Sequence, residues 1–259
     1  MCLIACAWQT HPEFPFVFVA NRDEFHARPS EAMGWWHDEN DILAGRDLQA
    51  GGTWLALHRS GRLSTVTNYR ETSPAAAARS RGELVAGFPV ESSSPGAFLD
   101  ALDGSLYSGF SLLVTDGREL AYGSNRGAGK SLLTPGVYGL SNAALDTPWP
   151  KLVRAREGLR SLLAAGAPQL DDLLDLVADR RPADADEVPQ TGLPFEHERA
   201  LSSPFIVGPA YGTRCSTAIV CRTDGHVEVA ERRFDANGSI SGESRCVFLA
   251  ENWSAQSAP

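Results

Sequence analysis

Two short apolar stretches near the start of the chain, Cys2-Leu-Ile-Ala-Cys-Ala-Trp8 and Pro15-Phe-Val-Phe-Val-Ala20, decide the fold. Both stretches are apolar at odd and even positions alike, as expected for strands that are covered on both faces. We therefore predict that they form inner strands of a sheet. Further strands are predicted at residues 42–48, 52–58, 62–68, 110–115, 119–123, 137–140, 213–222, 226–234 and 245–249.

Helix signals fall in two groups between these strands. Helices are predicted at residues 81–88, 95–102, 147–163 and 170–177. The third begins at a Thr147-Pro148 cap and is closed by Gly166. This order of strands and helices predicts an α+β fold, a four-layer αββα sandwich of two mainly antiparallel sheets.

The composition indicates a folded, acidic protein. We predict a single domain over residues 1–259, with a long irregular loop at about 178–205 that is rich in Pro, Asp and Glu. The net charge of −9 argues against a nucleic-acid surface. No apolar run approaches the ~18 residues of a membrane span. The first apolar stretch is not preceded by the basic residues that open a secretion signal, so we do not predict one. The five cysteines lack metal-ligand spacing, which favours reduced thiols and a cytoplasmic protein.

Cys2 directly follows the initiator methionine. Removal of Met1 would place a thiol and a free α-amine on one residue, and these groups titrate near ~8.5 and ~7.7–8.0 when unperturbed. A thiolate assisted by its own amine is the nucleophile and base of N-terminal-nucleophile enzymes. The alternative is a buried strand cysteine that only packs.

Polar residues follow the second apolar stretch directly. Asn21, Arg22, Asp23 and Glu24 place an amide, a cation and two carboxylates beside it. An extended backbone would direct Asn21 and Asp23 to one side and Arg22 and Glu24 to the other, whereas a turn would let all four converge. The alternative to a functional site is a solvated turn with local salt bridges.

Three more polar residues lie at predicted strand termini. Asn68 and Asn142 end strands, and an asparagine amide can donate to a developing oxyanion. Asparagine also caps helices and forms turns, which is the alternative for both residues. Arg214 introduces a late strand, where it could hold a carboxylate or stabilise a thiolate at Cys2.

Several collinear motifs span essentially the whole chain. They are Met1-Cys2-Leu3-Ile4, Asn21-Arg22-Asp23-Glu24-Phe25 with Arg28-Pro29, Gly45-Arg46-Asp47 with Gly51-Gly52-Thr53-Trp54-Leu55, Thr67-Asn68, Gly139-Leu140-Ser141-Asn142 with Asp146-Thr147-Pro148-Trp149-Pro150-Lys151, and Tyr211-Gly212-Thr213-Arg214. In these motifs the chain resembles the NRDE family, also called the transport-and-Golgi-organisation protein 2 family.

The NRDE family is similar to the N-terminal-nucleophile hydrolases, such as cholylglycine hydrolases and penicillin acylases, which cleave amide bonds. The resemblance implies roles for six residues: Cys2 as nucleophile and base, Asp23 to orient its amine, Arg22 or Arg214 to stabilise the thiolate, and Asn68 and Asn142 for oxyanion and substrate contacts. In those hydrolases two residues separate the arginine from the aspartate, whereas the two are adjacent here.

Two functions are predicted on this basis. The first is a cysteine hydrolase or acyltransferase that acts on an amide or other acyl bond of a small molecule and requires no cofactor or metal. The resemblance also allows a non-catalytic trafficking protein that binds haem or an acyl-CoA or other lipid. Candidate axial ligands for haem are His26, His37, His58 and Cys2.

Overall fold

The computed structural model describes residues 3–38, 41–72, 77–127 and 129–253 of the 259-residue chain. The strands of this part are β1 (Leu3–Trp8), β2 (Phe16–Phe25), β3 (Ser30–Trp35), β4 (Ile42–Asp47), β5 (Leu55–His58), β6 (Leu63–Asn68), β7 (Phe110–Thr115), β8 (Leu120–Ser124), β9 (Lys130–Leu132), β10 (Gly136–Leu140), β11 (Tyr211–Cys221), β12 (His226–Phe234) and β13 (Ile240–Leu249). The helices are α1 (Arg81–Val90), α2 (Pro95–Ala101), α3 (Pro150–Ala165), α4 (Leu170–Leu176) and α5 (Phe195–Ala200).

The strands form two antiparallel sheets. The first sheet has the order β10-β1-β2-β11-β12-β13, and the second has the order β3-β4-β5-β6-β7-β8-β9. Helices α3 and α4 pack on the outer face of the first sheet, and α1 and α2 pack on the outer face of the second. The predicted α+β class and the four-layer αββα arrangement are therefore confirmed.

Burial on both faces explains why β1 and β2 read as continuous apolar runs. In β1, Leu3 and Ala5 pack against the outer helices. Ile4 and Cys6 point the other way, into the core between the two sheets. Because each face is covered by protein, no polar alternation is left in the sequence.

The most consequential departure from prediction is the length of β2. The apolar run was predicted to end at Ala20, but the strand continues through Phe25. Residues 21–25 remain paired with β11, so the strand continues because of its backbone hydrogen bonds and not because of a hydrophobic pattern. The polar residues Asn21–Asp23 therefore belong to strand β2 and are buried, instead of following a strand that ends at Ala20.

Three smaller predictions were incomplete. Strands β3 and β9 were missed because they are edge strands of the second sheet with mostly unburied residues. Helix α3 begins at Pro150 after Trp149, because the Thr147 hydroxyl donates to the carbonyl of Ala144 instead of capping the helix. The segment predicted as an irregular loop at 178–205 contains the short helix α5.

None of the described helices has the length and apolar composition needed to cross a membrane. Cys6, Cys215, Cys221 and Cys246 are free thiols, as predicted.

A close approach of two glycines joins the loop before β5 to the start of α1. A Cβ atom at Gly52 would lie 2.5 Å from the carbonyl carbon of Gly82, and one at Gly82 would lie 3.0 Å from the backbone nitrogen of Thr53. Only glycine at both positions lets these backbones touch. The contact fixes the first turn of α1, including Arg81, beside this loop.

The change Gly52→Ala should lower the free energy of unfolding by about 1–3 kcal/mol, because the new methyl group meets backbone that cannot move aside. Gly87→Ala in the same helix is the matched control. No atom lies within 4 Å of a Cβ there, and a helical alanine should stabilise by ~0.5–1 kcal/mol. Urea unfolding of both variants tests this, and equal midpoints would contradict the proposed clash.

Candidate functional site

The polar end of β2 lies at the end of the first sheet where β1 begins. Leu3, the first residue of β1, pairs with Asn21. Asn21, Arg22 and Asp23 are only 0%, 3% and 5% exposed. Buried polar groups require partners, so each of these side chains has a defined role in the structure.

Asn21 is held by three hydrogen bonds. Its amide nitrogen donates to the carbonyls of Val177 and Pro204, both at 2.8 Å. Its amide oxygen accepts from the Ser216 hydroxyl at 2.6 Å. Asn21 therefore fixes both ends of the connection between α4 and β11 onto the first sheet.

Asp23 lies on the same face of β2 as Asn21. Its Oδ1 accepts a hydrogen bond of 2.7 Å from the Thr213 hydroxyl. The same hydroxyl oxygen accepts from the backbone N–H of Ile206 at 2.9 Å. Thr213 thus positions the Asp23 carboxylate and ties it to the chain after α5.

Arg22 points to the opposite face, toward the second sheet, as an extended strand requires. Its guanidinium stacks over the Trp54 ring at 4.0 Å, and its Nη2 lies 3.8 Å from Oδ2 of Asp47. Arg28 donates to the same Asp47 oxygen at 2.6 Å. Burial opposes ionisation of Asp47, but the hydrogen bonds from Arg28 and from the backbone outweigh it and hold the pKa of Asp47 below its usual value.

Arg214 binds the backbone of the turn that follows β2. The pairing of β2 with β11 shifts register between Thr213 and Cys215, which makes Arg214 the extra residue of a β-bulge. Its Nη1 donates to the carbonyls of Phe25, His26 and Arg28. Burial and the neighbouring charge of Arg22 lower the pKa of Arg214, which places it near Arg22, and its role toward Cys2 stays a prediction.

Two adjoining clefts open at this end of the sheets. The first, which we call the arginine cleft, has a volume of about 240 Å³. Its lining comes mainly from β2, the loop before β5 and the start of α1: Arg22, Asp23, Glu24, Arg28, Asp47, Ala50, Gly52, Thr53, Trp54, Val66, Asn68, Arg79, Ser80, Arg81, Gly82 and Ser108.

The second, which we call the apolar cleft, has a volume of about 470 Å³. Its polar lining residues are Asp23, Asn68, Tyr69, Arg70, Glu71, Arg81, Ser108, Asn142 and Lys151. Its apolar and aromatic lining residues, which we call the apolar wall, are Phe25, Leu193, Leu201, Ile206 and Tyr211. The two clefts share Asp23, Asn68, Arg81 and Ser108.

The two predicted asparagines are neighbours in this site. The Asn142 side-chain amide donates to the Asn68 carbonyl at 3.2 Å, and the Asn142 carbonyl accepts from the Arg70 backbone at 2.7 Å. These two hydrogen bonds hold the end of strand β6 against the turn that follows β10. Of the predicted residues, Arg22, Asp23, Asn68 and Asn142 line the clefts, and Cys2 lies outside the described residues.

The segment after α4 supplies most of the apolar wall and is anchored by a buried ion pair. Glu198 of α5 is 2% exposed and accepts from Nη1 of Arg70 at 2.6 Å. It also accepts from the backbone N–H groups of Thr191 and Leu193. Arg70 in turn stacks over Trp149 at 4.8 Å. This part of the chain is therefore packed against the body of the protein and forms part of the cleft lining.

Sequence reasoning gave no role to Lys151, Arg70 or Arg81, although Lys151 stood in a quoted motif. Lys151 is only 2% exposed, and its ammonium donates to the Leu201 carbonyl at 3.0 Å. A lysine in the first turn of a helix reads as a surface residue, and only the tertiary fold shows that it lines a cleft.

The histidines considered as haem ligands lie elsewhere. The ring of His26 contacts the Gly208 carbonyl at 3.0 Å, and that of His58 contacts the Ser60 hydroxyl at 2.8 Å. Neither they nor His37 lines either cleft. Within the described ranges, no three His, Cys, Asp or Glu side chains form a group suited to a metal ion.

These features define an α+β two-sheet protein with a polar double cleft at the buried end of a central strand. The chain belongs to the Transport and Golgi organisation 2 family, whose sequence profile matches residues 1–236. The predicted family is therefore confirmed.

Curated relatives share most of their length with this chain. The Transport and Golgi organization protein 2 homolog of Homo sapiens is 34% identical over 255 residues, which cover 90% of this chain and 92% of the relative. The Bos taurus homolog is 35% identical over 256 residues with the same coverage. Among solved structures, a Caenorhabditis elegans N-acylethanolamine-hydrolyzing acid amidase ortholog matches with a TM-score of 0.43 and 9% identity, covering 85% of this chain and 92% of that chain.

Replacing Thr213 tests the positioning of Asp23. Thr213→Val keeps the shape but removes the hydroxyl, so the Ile206 N–H and the Asp23 carboxylate each lose a buried partner. We expect a loss of about 1–3 kcal/mol in the free energy of unfolding. Thr213→Ser retains the hydroxyl and should recover most of that loss in the same urea titration. A valine variant as stable as the wild-type protein would contradict a structural role for these hydrogen bonds.

Proposed function

We propose that this chain is an N-terminal-nucleophile cysteine hydrolase or acyltransferase that acts on an acyl bond of a small molecule. The observation that carries the proposal is the cleft wall formed by Asp23, Asn68 and Asn142 at the end of the sheet where β1 starts. Cys2 is joined to Leu3 by one peptide bond, so their Cα atoms are ~3.8 Å apart. A nucleophile at Cys2 is therefore supported by the location of these side chains.

The reaction under this proposal uses a single residue as nucleophile and base. The Cys2 sulfur attacks the acyl carbon while its α-amine takes the thiol proton. The carbon–nitrogen bond of an amide substrate then breaks, and the leaving amine receives that proton. Water attacks the resulting thioester, which releases the carboxylic acid and restores the thiol; a second amine or alcohol in place of water would make the reaction an acyl transfer.

The cleft residues take roles that suit their chemistry. Asp23, held by Thr213, orients the α-amine and favours its charged form once it has accepted the proton. The Asn142 amide carries two hydrogens, one of which goes to the Asn68 carbonyl. The other, together with the Asn68 amide, donates to the oxyanion of the tetrahedral intermediate.

The other cysteines of the inner strands are poor nucleophiles. Burial, aided by the charge of Asp146, raises the pKa of Cys6 to about 12. Burial likewise raises the pKa of Cys215 and of Cys221 well above the usual value. Because the thiolate is the reactive form, these three thiols are not expected to compete with Cys2 at neutral pH.

The carrier alternative has less support from the described residues. The three histidines considered for haem are not among the residues that line either cleft. The apolar wall would suit the acyl chain of a bound lipid as well as that of a substrate. Turnover of an acyl bond separates the two functions, since a carrier would release its ligand unchanged.

Thiol labelling tests the nucleophile. Iodoacetamide at pH 7.5 should modify Cys2 of the native protein, and mass spectrometry should show that Met1 is absent. Cys6, Cys215 and Cys221 should react only after unfolding, because burial keeps them protonated. Cys246→Ser is the control variant, since it removes the remaining partly exposed thiol. Retention of Met1, or labelling that disappears with Cys246, would contradict the proposal.

A further inference from the structure

The two clefts differ in chemistry, and this difference bears on the substrate. The apolar cleft carries five apolar or aromatic side chains on one wall, including Phe25, which is 58% exposed. Its ring meets that of Tyr211 edge to face, with centroids 5.2 Å apart. An exposed aromatic pair in a concave site indicates a binding surface for an apolar group.

The arginine cleft is cationic. Its lining contains four arginines, Arg22, Arg28, Arg79 and Arg81, against three carboxylates. Asp47 contacts both Arg22 and Arg28, Glu24 lies 3.9 Å from Arg28, and Arg79 pairs at 2.8 Å with Glu83 behind the cleft wall. Within the lining itself the arginines outnumber the carboxylates by one, in a chain whose net charge is −9, and a guanidinium that faces a cleft is a ready partner for a carboxylate.

The start of helix α1 lines this cleft, with Glu83 as the acidic residue of its first turn. Its first turn, with Ser80, Arg81 and Gly82, forms part of the cleft wall. The N-terminal end of a helix carries a partial positive charge that falls off within about one turn. Arg81 lines both clefts, so its charge faces the point where they meet.

Size limits what the arginine cleft can hold. At about 240 Å³ it is the smaller of the two clefts. A head group of the size of an amino acid fits this space. The apolar cleft, about twice as large, has room for a medium-length acyl chain.

The geometry points to a substrate with two unlike halves: an acyl chain that lies in the apolar cleft and a compact carboxylate-bearing amine, such as an amino acid, that lies in the arginine cleft. The scissile amide would then lie at Asp23 and Asn68, which both clefts share. This inference rests on the proposed hydrolase function, and it names the substrate class as N-acyl amino acids.

Binding to an inactive variant tests the substrate class separately from catalysis. Cys2→Ala removes the proposed nucleophile and keeps both clefts. Titration calorimetry with N-octanoylglycine and with its neutral amide, N-octanoylglycinamide, isolates the carboxylate. We expect the carboxylate ligand to bind about tenfold more tightly, which is the effect of about 1.4 kcal/mol. N-acetylglycine, without the chain, should bind much more weakly than either.

Arginine variants in the same background locate the anion. Arg81→Gln and Arg79→Gln should each reduce the preference for the carboxylate ligand severalfold. If Arg81→Gln does not fold, Arg79→Gln still tests the prediction. Arg118→Gln, an exposed arginine in the turn between β7 and β8, is the matched control and should leave the preference unchanged. Leu193→Ser should weaken both octanoyl ligands equally.

The outcomes test the substrate class and the hydrolase function separately. Equal affinity for the acid and the amide, or no binding of either, would overturn the substrate class. Preferential binding without hydrolysis of N-octanoylglycine by the wild-type protein would keep the ligand class but contradict the proposed function. Hydrolysis of both compounds at equal kcat/KM would support the proposed hydrolase function but contradict the proposed substrate class.

Discussion

The structure depends on the burial of three consecutive polar residues in the middle strand of the first sheet. Asn21, Arg22 and Asp23 cannot leave their polar atoms unsatisfied inside a sandwich, and their partners come from three different parts of the chain. Asn21 holds the carbonyls of Val177 and Pro204. Arg22 reaches the second sheet at Trp54. These bonds therefore assemble the site as well as the fold.

Strand alternation then divides the site by chemistry. Asp23 lies on the face toward the outer helices and is fixed by Thr213, whereas Arg22 lies on the face toward the second sheet. Most of the apolar wall comes from the chain around α5, which the Glu198–Arg70 ion pair anchors. The arginine cleft comes from the second sheet and α1. One side of the site is thus suited to an acyl chain and the other to an anion.

Most of the layer architecture could be predicted from the sequence, because apolar runs and helical periods report burial directly. The extension of β2 could not, since Asn21–Asp23 are polar and only pairing with β11 keeps them in the strand. Asn68 and Asn142 both lie at the ends of predicted strands, and the structure makes them neighbours at the apolar cleft. The bulge at Arg214 could not be predicted because the sequence carries no signal for it, and the burial of Lys151 was missed because its sequence context is that of a surface lysine.

The central claim is that Cys2 forms an acyl-enzyme with help from Asp23. Brief incubation with p-nitrophenyl octanoate, an acid quench and peptide mapping by mass spectrometry would detect it. The account predicts one octanoyl group on Cys2 in the wild-type protein and acylation about 100-fold slower in Asp23→Asn, within the usual contribution of a general base. An octanoyl group on Cys246, no adduct at all, or an unchanged rate in Asp23→Asn would contradict it.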